Sequence, residues 1–242
     1  MTVIHTAMVL AAGRGERMRP LTDRIPKPQV RIAGRSMLDR MLDALERFGV
    51  SRAVVNASHL GRQVERLLER RARPPVHVSL EDERLETGGG VRRALPHLGP
   101  RAFLVANADI VLPRAEHAFR ALEQHWDGQA MDALLLVTPR DRATGYAGNG
   151  DFDLLPHLAG AGPLVRTETD RQPYVFTGIQ ILSRTMFEDA PDGPFSLGAL
   201  YRRARLERRL FGIVHHGDWF HVGTVQAVKD TERLLATKEA TV

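Results

Sequence analysis

The sequence predicts an α/β fold built on a mostly parallel sheet flanked by helices. Two observations support this prediction. Short apolar runs typical of buried strands alternate with segments of helical hydrophobic spacing up to residue 138. A glycine turn follows the first of these runs and an aspartate follows a later one, at the strand ends where open α/β sheets bind ligands. The length of 242 residues suits one domain spanning 1–242.

The composition is ordinary for a globular protein and excludes several functional classes. Only Lys27, Lys229 and Lys238 are lysines, so 31 of the 34 basic residues are arginines. They are interleaved with 29 acidic residues, so we expect no nucleic-acid binding despite the net charge of +5. The chain has no cysteine, which excludes disulfides and thiolate nucleophiles and fits a cytoplasmic protein. We expect no signal peptide and no membrane span, because no apolar run approaches about 20 residues.

The stretch that follows the first predicted strand, 7–12, carries the clearest chemical signal. Gly13-Arg14-Gly15 is a turn that lets a ligand approach the backbone and its N–H groups. Arg17 follows, and Lys27 lies between two prolines that restrict the chain. This combination suits a polyphosphate. By itself a G-x-G is more often a tight turn, and this one lacks both the third glycine of the dinucleotide fingerprint and the G-K-[ST] of a P-loop.

Hydrophobic spacing and helix-capping residues predict the helices and strands after this stretch. Ser36 and Asp39 form a capping box and Gly49 follows the last apolar position, which predicts a helix over 36–48. The other strands predicted before residue 139 lie at 50–57, 76–80, 102–106 and 131–138. The other helices predicted there are one at 60–71 with Leu60, Val64, Leu67 and Leu68 inward, a helical start through Val91 and Leu95, and one at 114–125.

Two further segments in this first part are candidates for binding. Leu85 to Gly90 is predicted to be a loop, because three consecutive glycines are costly to order. It is either simply flexible or a backbone surface that reads a base or lies beside phosphates at a helix N-terminus. Asp109 comes three residues after the strand at 102–106, where it either caps the turn or binds a ligand.

The pattern changes after residue 139, where strands and helices no longer alternate regularly. The segment 145–153 is rich in Gly, Asn and Asp and predicts a surface hairpin or loop. The remaining predicted elements are a strand at 174–182, a helix at 195–205, strands at 210–215 and 219–222 around a turn at Gly217, and a helix at 224–237.

Several motifs together resemble the sugar-1-phosphate nucleotidyltransferases. They are LAAGRGERMRPLT, IPKP, LETGGGVRRALPHLG, VANAD, GNGDF, FTGIQIL and WFHVGT, and they span nearly the whole chain. The short length and the LETGGG segment are similar to those of bacterial N-acetylmuramate-1-phosphate uridylyltransferases of cell-wall (peptidoglycan) recycling. The resemblance implies a Rossmann-like sheet, with a nucleotide-binding part at about 1–138 and a small sugar-binding extension at about 139–242.

The resemblance also implies roles for individual residues. Arg17 and Lys27 would grip the triphosphate as catalytic groups, and Asp109 would bind Mg²⁺, with Mn²⁺ as an alternative. The implied nucleotide-binding residues are Ala11, Ala12, Gly13, Arg14, Gly15, Thr87, Gly88 and Gly89, and the implied sugar-phosphate-binding residues are Asn107, Asp151, Thr177 and Gly178.

Two positions depart from the family pattern. Ala108 replaces a glycine and adds a methyl group near the sugar phosphate. His221 stands where the pattern has a second metal-binding aspartate, and Mg²⁺ prefers oxygen ligands to imidazole. His221 is therefore either a metal ligand or a residue that contacts a phosphate, and Asp218 is a weaker substitute for the missing carboxylate.

The expected reaction is transfer of a nucleoside monophosphate from UTP to N-acetylmuramate 1-phosphate. A sugar phosphate is already an anion, so it needs positioned cations and a metal rather than a general base. The alternatives are a guanylyl- or other nucleotidyltransferase acting on a mannose- or heptose-type phosphate, and a nucleotide-binding module that has lost catalysis. The expected partners are the two substrates, in a monomer or small homo-oligomer.

Overall fold

The computed structural model describes residues 3–156 and 160–239, and a nine-stranded sheet runs through them. The strands of the described chain are β1 (Thr6–Leu10), β2 (Arg31–Ile32), β3 (Arg35–Ser36), β4 (Arg52–Ala57), β5 (Val76–Leu80), β6 (Phe103–Asn107), β7 (Ile110–Val111), β8 (Ala133–Pro139), β9 (Asp153–Leu154), β10 (Gly162–Val165), β11 (Tyr174–Leu182), β12 (Leu210–Val214) and β13 (Phe220–His221). The helices are α1 (Met37–Phe48), α2 (Gly61–Leu68), α3 (Glu86–Leu98), α4 (Ala115–His125), α5 (Leu197–Leu206) and α6 (Val225–Glu239). None of them is long and apolar enough to cross a membrane.

The central sheet has the strand order β5-β4-β1-β6-β11-β8-β12-β10-β9. The first four strands are parallel to one another, and β12 is parallel to β8. Strand β11 lies antiparallel between β6 and β8, and β10 is antiparallel to β12 and β9. The prediction of a mostly parallel, Rossmann-like α/β sheet is therefore confirmed. Two small ribbons, β2–β3 and β7–β13, lie outside this sheet.

The core has two layers because side chains alternate along each buried strand. In β1, Ala7 and Val9 belong to one apolar cluster with α1, α2 and α4, whereas Met8 belongs to a second cluster with α3 and α5. Met18 and Phe220 join a third, smaller cluster that packs the β7–β13 ribbon against the stretch before α1. These layers fix the carboxyl ends of β1 and β6 side by side.

The first helix shows how closely local signals set the structure. The Ser36 hydroxyl accepts a hydrogen bond from the Asp39 backbone N–H at 3.0 Å, so Ser36 caps the helix as predicted. The Asp39 carboxylate accepts from the Ser36 hydroxyl at 2.7 Å rather than from the Ser36 backbone N–H of a full capping box. Gly49 ends the helix in the left-handed region at φ 102°. The helix over 36–48 is confirmed within one residue.

Two predictions in the first part are wrong. Leu67 was expected to face inward, but it is 39% exposed, because α2 is anchored through Val64 and Leu68 on an adjacent stripe. The segment 85–90 was expected to be a loop, but residues 86–90 form the first turns of α3. Tertiary contacts of the glycines, described below, outweigh their low helix propensity.

Candidate active site

A cavity of about 190 Å³ opens where β1 and β6 end. Its lining includes the start of the LAAGRG motif, Lys27 with Pro28, and three residues at the end of β6. The lining residues are Leu10, Ala11, Ala12, Gly13, Gly15, Lys27, Pro28, Asn56, Arg84, Glu86, Thr87, Asn107, Ala108 and Asp109. The structure therefore brings the strand-end glycine turn, Lys27 and Asp109 together in the lining of one cavity.

The turn after β1 is shaped by Gly15, which has a φ of 66°. A Cβ on Gly15 would lie 2.9 Å from both the Lys27 Cβ and the Thr22 Cγ2, so a larger residue would displace the Lys27 side chain. The Thr22 hydroxyl donates to the Gly15 carbonyl at 2.8 Å and closes this turn. Gly13 has no neighbour within 4 Å of a Cβ position, which leaves its backbone open to the cavity.

Lys27 and Asp109 form an ion pair at the edge of the cavity. The Lys27 Nζ donates to the Asp109 Oδ2 at 2.7 Å, and their side chains are 11% and 27% exposed. The prolines on either side of Lys27 hold it in a short 3-10 turn, Lys27–Gln29. The arrangement puts one mobile cation and one carboxylate at the same point of the cavity wall.

His221 lies beside this pair because β13 pairs with β7, which follows Asp109 directly. In the ribbon His221 is the partner of Ile110, and the Val222 N–H donates to the Asp109 carbonyl at 3.0 Å. The His221 Nε2 lies 4.0 Å from the Asp109 Oδ2, and the ring stacks on Trp219 with centroids 6.1 Å apart. The structure thus brings His221 to the position that the sequence pattern assigns to a metal-site residue.

Asp109 and His221 are the metal-ligating side chains at this point of the site. Among the residues that the structure describes, no three His, Cys, Asp or Glu side chains cluster closely enough to hold an ion by themselves. Asp109 offers a hard carboxylate oxygen and His221 a nitrogen 4.0 Å away. Mg²⁺ in phosphate sites is commonly held by one or two carboxylates plus substrate phosphates. The residues therefore fit a magnesium ion that is shared with a nucleotide.

Two arginines of the LAAGRGERMRPLT motif that were implied in binding lie outside the cavity lining. Arg14 and Arg17 are both exposed. A Cβ placed on Gly223 would lie 3.0 Å from the Arg17 Nη2 and 3.1 Å from the His221 Cε1, so Arg17 sits beside the His221 ring. Arg17 therefore lies near His221 and Asp109 and not at the glycine turn.

The four residues implied for the sugar phosphate have different environments. Asn107 lines the cavity, and a Cβ on Gly178, whose φ is 88°, would come within 2.7 Å of the Asn107 Nδ2. Gly178 therefore makes room for Asn107 at the bulge of β11. Thr177 is fully buried and its hydroxyl donates to the Leu136 carbonyl at 2.8 Å, so its side chain points away from the cavity.

Asp151, the fourth of these residues, lies in the loop beside β11 and not in the cavity lining. Its Oδ2 accepts a hydrogen bond from the Phe176 N–H at 2.8 Å. Burial raises the pKa of the Asp151 carboxyl, and the Phe176 N–H and the charge of Arg166 oppose that rise. Burial, and then the nearby Asp151 charge, raise the pKa of Tyr146 in the same loop.

The glycines implied for the base are used for packing. A Cβ on Gly88 would lie 2.3 Å from the Phe195 ring, and one on Gly89 would lie 2.3 Å from the Gly193 carbonyl oxygen. The N–H groups of Gly88 and Gly89 both donate to the Phe195 carbonyl, at 2.8 and 3.1 Å. The backbone of Gly88 and Gly89 therefore faces the segment before α5. Of the three residues implied for the base, Thr87 is the one that lines the cavity.

Three cavity residues were missed by the sequence analysis: Asn56, Arg84 and Glu86. Asn56 is 2% exposed, and its Oδ1 accepts from the Ala11 N–H at 2.8 Å while its amide donates to the buried Glu81 carboxylate at 2.7 Å. A lone amide within the apolar strand β4 was the signal that could have found it. Arg84 and Glu86 carry no such signal, although Glu86 takes an unusual φ of 58° at the start of α3.

Comparison with known proteins identifies the family. The family model of the MobA-like NTP transferase domain matches residues 7–189. The chain belongs to this family of nucleotidyltransferases. It is 39% identical to the N-acetylmuramate alpha-1-phosphate uridylyltransferase of Caulobacter vibrioides, over 95% of this chain and 96% of that protein.

Two further comparisons agree with that assignment. The enzyme of the same name from Neisseria meningitidis serogroup B is 35% identical over 94% of this chain and 97% of its own length. Among solved structures, an apo UDP-glucose pyrophosphorylase has the same fold, with a TM-score of 0.80, 13% identity and coverage of 98% of this chain and 100% of that chain. The predictions of a nucleotidyltransferase and of its fold are confirmed.

Proposed function

We propose that this nucleotidyltransferase moves uridine monophosphate from UTP to N-acetylmuramate 1-phosphate, forming UDP-N-acetylmuramate and pyrophosphate. The observation that carries the chemistry is the Lys27–Asp109 pair in the wall of the strand-end cavity. The choice of sugar and base is supported by similarity along nearly the whole chain to two enzymes named for that reaction.

The reaction needs charge stabilisation more than proton transfer. A phosphate oxygen of the sugar phosphate attacks the α-phosphorus of UTP, a new P–O bond forms, and the bond to the β-phosphate oxygen breaks to release pyrophosphate. Lys27 stabilises negative charge on the phosphoryl oxygens, and the open backbone at Gly13 lets the nucleotide phosphates approach the turn. Asn107 orients the sugar phosphate from the end of β6.

Asp109 would hold the Mg²⁺ ion through its carboxylate, with phosphate oxygens and water as the other ligands. Bound there, the metal would neutralise phosphate charge and polarise the phosphoryl group. We place His221 as a neighbour of that site whose ring contacts a phosphate or the ion, with Arg17 beside it. In this role the enzyme would serve peptidoglycan recycling in the cytoplasm, as a monomer or small homo-oligomer.

The test is a matrix of UTP, GTP, CTP and dTTP against N-acetylmuramate, N-acetylglucosamine, mannose and heptose 1-phosphates, read by pyrophosphate release. The expected result is the highest kcat/KM for UTP with N-acetylmuramate 1-phosphate. A preference for GTP with a mannose or heptose phosphate would replace this substrate assignment with the guanylyltransferase alternative. No release with any pair, together with nucleotide binding by calorimetry in Mg²⁺ or Mn²⁺, would identify an inactive binding module.

A further inference from the structure

A second cavity, of about 380 Å³, lies among α1, the start of α4 and α6, and it shares no lining residue with the candidate active site. Its volume falls within the range of about 300–1,000 Å³ that small-molecule sites occupy. One wall is β7, whose Ile110 and Val111 follow Asp109 directly and pair with β13. The cavity is therefore next to the ribbon that carries Asp109 and His221.

Part of the lining of this cavity is apolar, and these side chains are called the floor below. Met41 and Ala44 of α1, Ile110 and Leu112 around β7, and Leu235 of α6 contribute to it. Such a surface favours a ligand that has a hydrocarbon or ring portion to bury. A purely inorganic ion would leave these apolar side chains in contact with water.

Four arginines, called the rim below, also line the cavity: Arg35, Arg40, Arg47 and Arg114. The only carboxylate in the lining is Asp43, which pairs with Arg35 and is also 2.8 Å from the Arg71 Nη2. The described lining thus carries four guanidinium groups against one carboxylate.

These arginines differ in the ion pairs and hydrogen bonds that their side chains make. Arg47 pairs with Glu116 at 3.1 Å and the Arg40 Nη2 donates to the Ile32 carbonyl at 2.5 Å. Arg114, the residue before α4, has no hydrogen bond or ion pair from its side chain within the described part of the chain. Since a guanidinium has five donors, the Arg114 side chain keeps donors for a ligand.

We propose that this second cavity binds a small phosphate ester, with the phosphate on the arginine rim and the organic group on the apolar floor. Guanidinium groups match phosphate oxygens bidentately and remain charged at every physiological pH. Arg35 and Arg47 are paired with Asp43 and Glu116, and the positive charge that remains in the lining, on Arg114 above all, raises the local concentration of anions. The apolar floor distinguishes the ester from inorganic phosphate. This proposal does not depend on the sugar or base used at the active site.

The test uses phenyl phosphate as the probe and methyl resonances of Ile110, Leu112 and Leu235 as local reporters. We expect saturable shifts of these methyl groups, weaker binding of inorganic phosphate by about tenfold or more, and no saturation with neutral benzyl alcohol. Lys27→Ala should keep the shifts, since Lys27 lines the other cavity. Absence of saturation would reject the site, and equal affinity for inorganic phosphate would reduce it to an adventitious anion contact only.

The matched variants are Arg114→Asn and Arg93→Asn, which remove the same charge inside and outside the cavity. Asn tolerates the φ of 52° at Arg114, and Arg93 is exposed on α3. Arg114→Asn should weaken phenyl phosphate by about tenfold or more, and Arg93→Asn should not. Arg47→Gln gives a second variant on the rim with the same expectation. Equal weakening by the Arg114 and Arg93 variants would show that only net charge matters, and would overturn the proposal.

Discussion

The ion pair between Lys27 and Asp109 joins side chains that are 82 positions apart in the sequence. Each partner compensates the other's charge beside the cavity. A nucleotide phosphate offers Lys27 an alternative anion, and a metal ion offers Asp109 an alternative cation. The pair is therefore the point at which the predicted substrates would be gripped.

The first prediction concerns Lys27. Lys27→Ala should lower kcat by on the order of ten- to a thousand-fold, the cost of removing one preorganised donor to the transition state. The measurement is steady-state pyrophosphate release, with circular dichroism to check the fold. Lys229→Ala is the matched control, because Lys229 is exposed on α6, away from both cavities. A Lys27→Ala rate equal to that of the control would remove Lys27 from the mechanism.

The second prediction concerns the metal. Asp109→Asn should remove most activity and weaken Mn²⁺ binding measured with the nucleotide present, because the formal charge that faces the ion is lost. His221→Asp should be tolerated and should tighten Mg²⁺, because it adds a second hard carboxylate beside the first. If His221 is itself a ligand, the wild type should instead favour Mn²⁺ or Co²⁺. Full activity of Asp109→Asn at low Mg²⁺ would show that the metal binds elsewhere.

The third prediction concerns pH and Asp151. Because burial raises the folded-state pKa of Asp151 above its ordinary value of 3.8, the folded protein binds this proton more tightly than the unfolded chain. Its stabilising contribution is therefore full below the unfolded pKa and is lost as pH rises through the folded pKa. Asp151→Asn should gain stability relative to wild type as pH rises from about 4 to 7, measured by urea unfolding.

Glu116 provides the control of opposite sign. Burial raises its pKa, but the hydrogen bonds from Arg47 and from its own backbone N–H, with the Arg47 charge, outweigh burial and lower the pKa overall. Its contribution is present above the unfolded pKa and is lost as pH falls through the folded pKa, so Glu116→Gln should lose stability relative to wild type as pH rises. The same sign for both variants would contradict the assignment of Asp151.

At the scale of secondary structure, tertiary packing outweighs local helix propensity in α3. Helix propensity alone predicts that Gly88→Ala stabilises the protein by about 0.8–1.0 kcal/mol. A Cβ there would lie 2.3 Å from the Phe195 ring and 2.8 Å from its carbonyl oxygen. Overpacking of this kind typically costs about 1–3 kcal/mol.

The fourth prediction is therefore that Gly88→Ala lowers the free energy of unfolding by about 1–3 kcal/mol in urea titrations. Gly198→Ala in α5 is the matched control, because a Cβ there has only the Ser196 Oγ at 3.4 Å within range. The control should gain up to about 1 kcal/mol. A gain of similar size for both variants would mean that α3 does not pack as closely against Phe195 as the structure indicates.

At the scale of the whole molecule, the central sheet interleaves the two parts that the sequence analysis separated near residue 138. Strand β11 lies between β6 and β8, and β12 lies on the other side of β8. Without residues 139–242, β6 would become an edge and β8 would have neither neighbour. Unpaired strands of this kind cannot satisfy their backbone groups in a buried sheet.

The fifth prediction is a single cooperative unfolding transition. The two tryptophans report on both parts, since Trp126 follows α4 and Trp219 precedes β13. Urea curves from tryptophan fluorescence and from far-ultraviolet circular dichroism should coincide, and a fragment of residues 1–138 should not fold. Two separated transitions would indicate that the second part folds as an independent unit.

The sequence identified the features that depend on local or periodic signals. The strand at 174–182 was predicted to the residue, and the helix at 36–48 within one. Alternating apolar positions bury one strand face against each helical layer, so burial is encoded directly in residue order. The position of the glycine turn and of Asp109 could be predicted because ligands bind at the carboxyl ends of parallel strands.

The sequence failed where the deciding contact comes from a distant segment. Gly88 is helical because Phe195 packs on it, and Thr177 points inward because its hydroxyl bonds to the Leu136 carbonyl 41 residues away. Asn56 lines the cavity because the fold places β4 beside β1, and the sequence alone does not give that pairing.

By itself, the sequence determined the α/β class, the order of most elements and the position of a glycine turn and an aspartate after two strands. The tertiary structure decided that the glycine run serves packing, that Thr87 rather than Gly88 or Gly89 lines the cavity, and that His221 stands 4.0 Å from Asp109. The physical reason is the range of the interactions. Burial periodicity and helix caps act over a few residues, whereas close packing, buried hydrogen bonds and ion pairs form only between segments that the finished fold brings together.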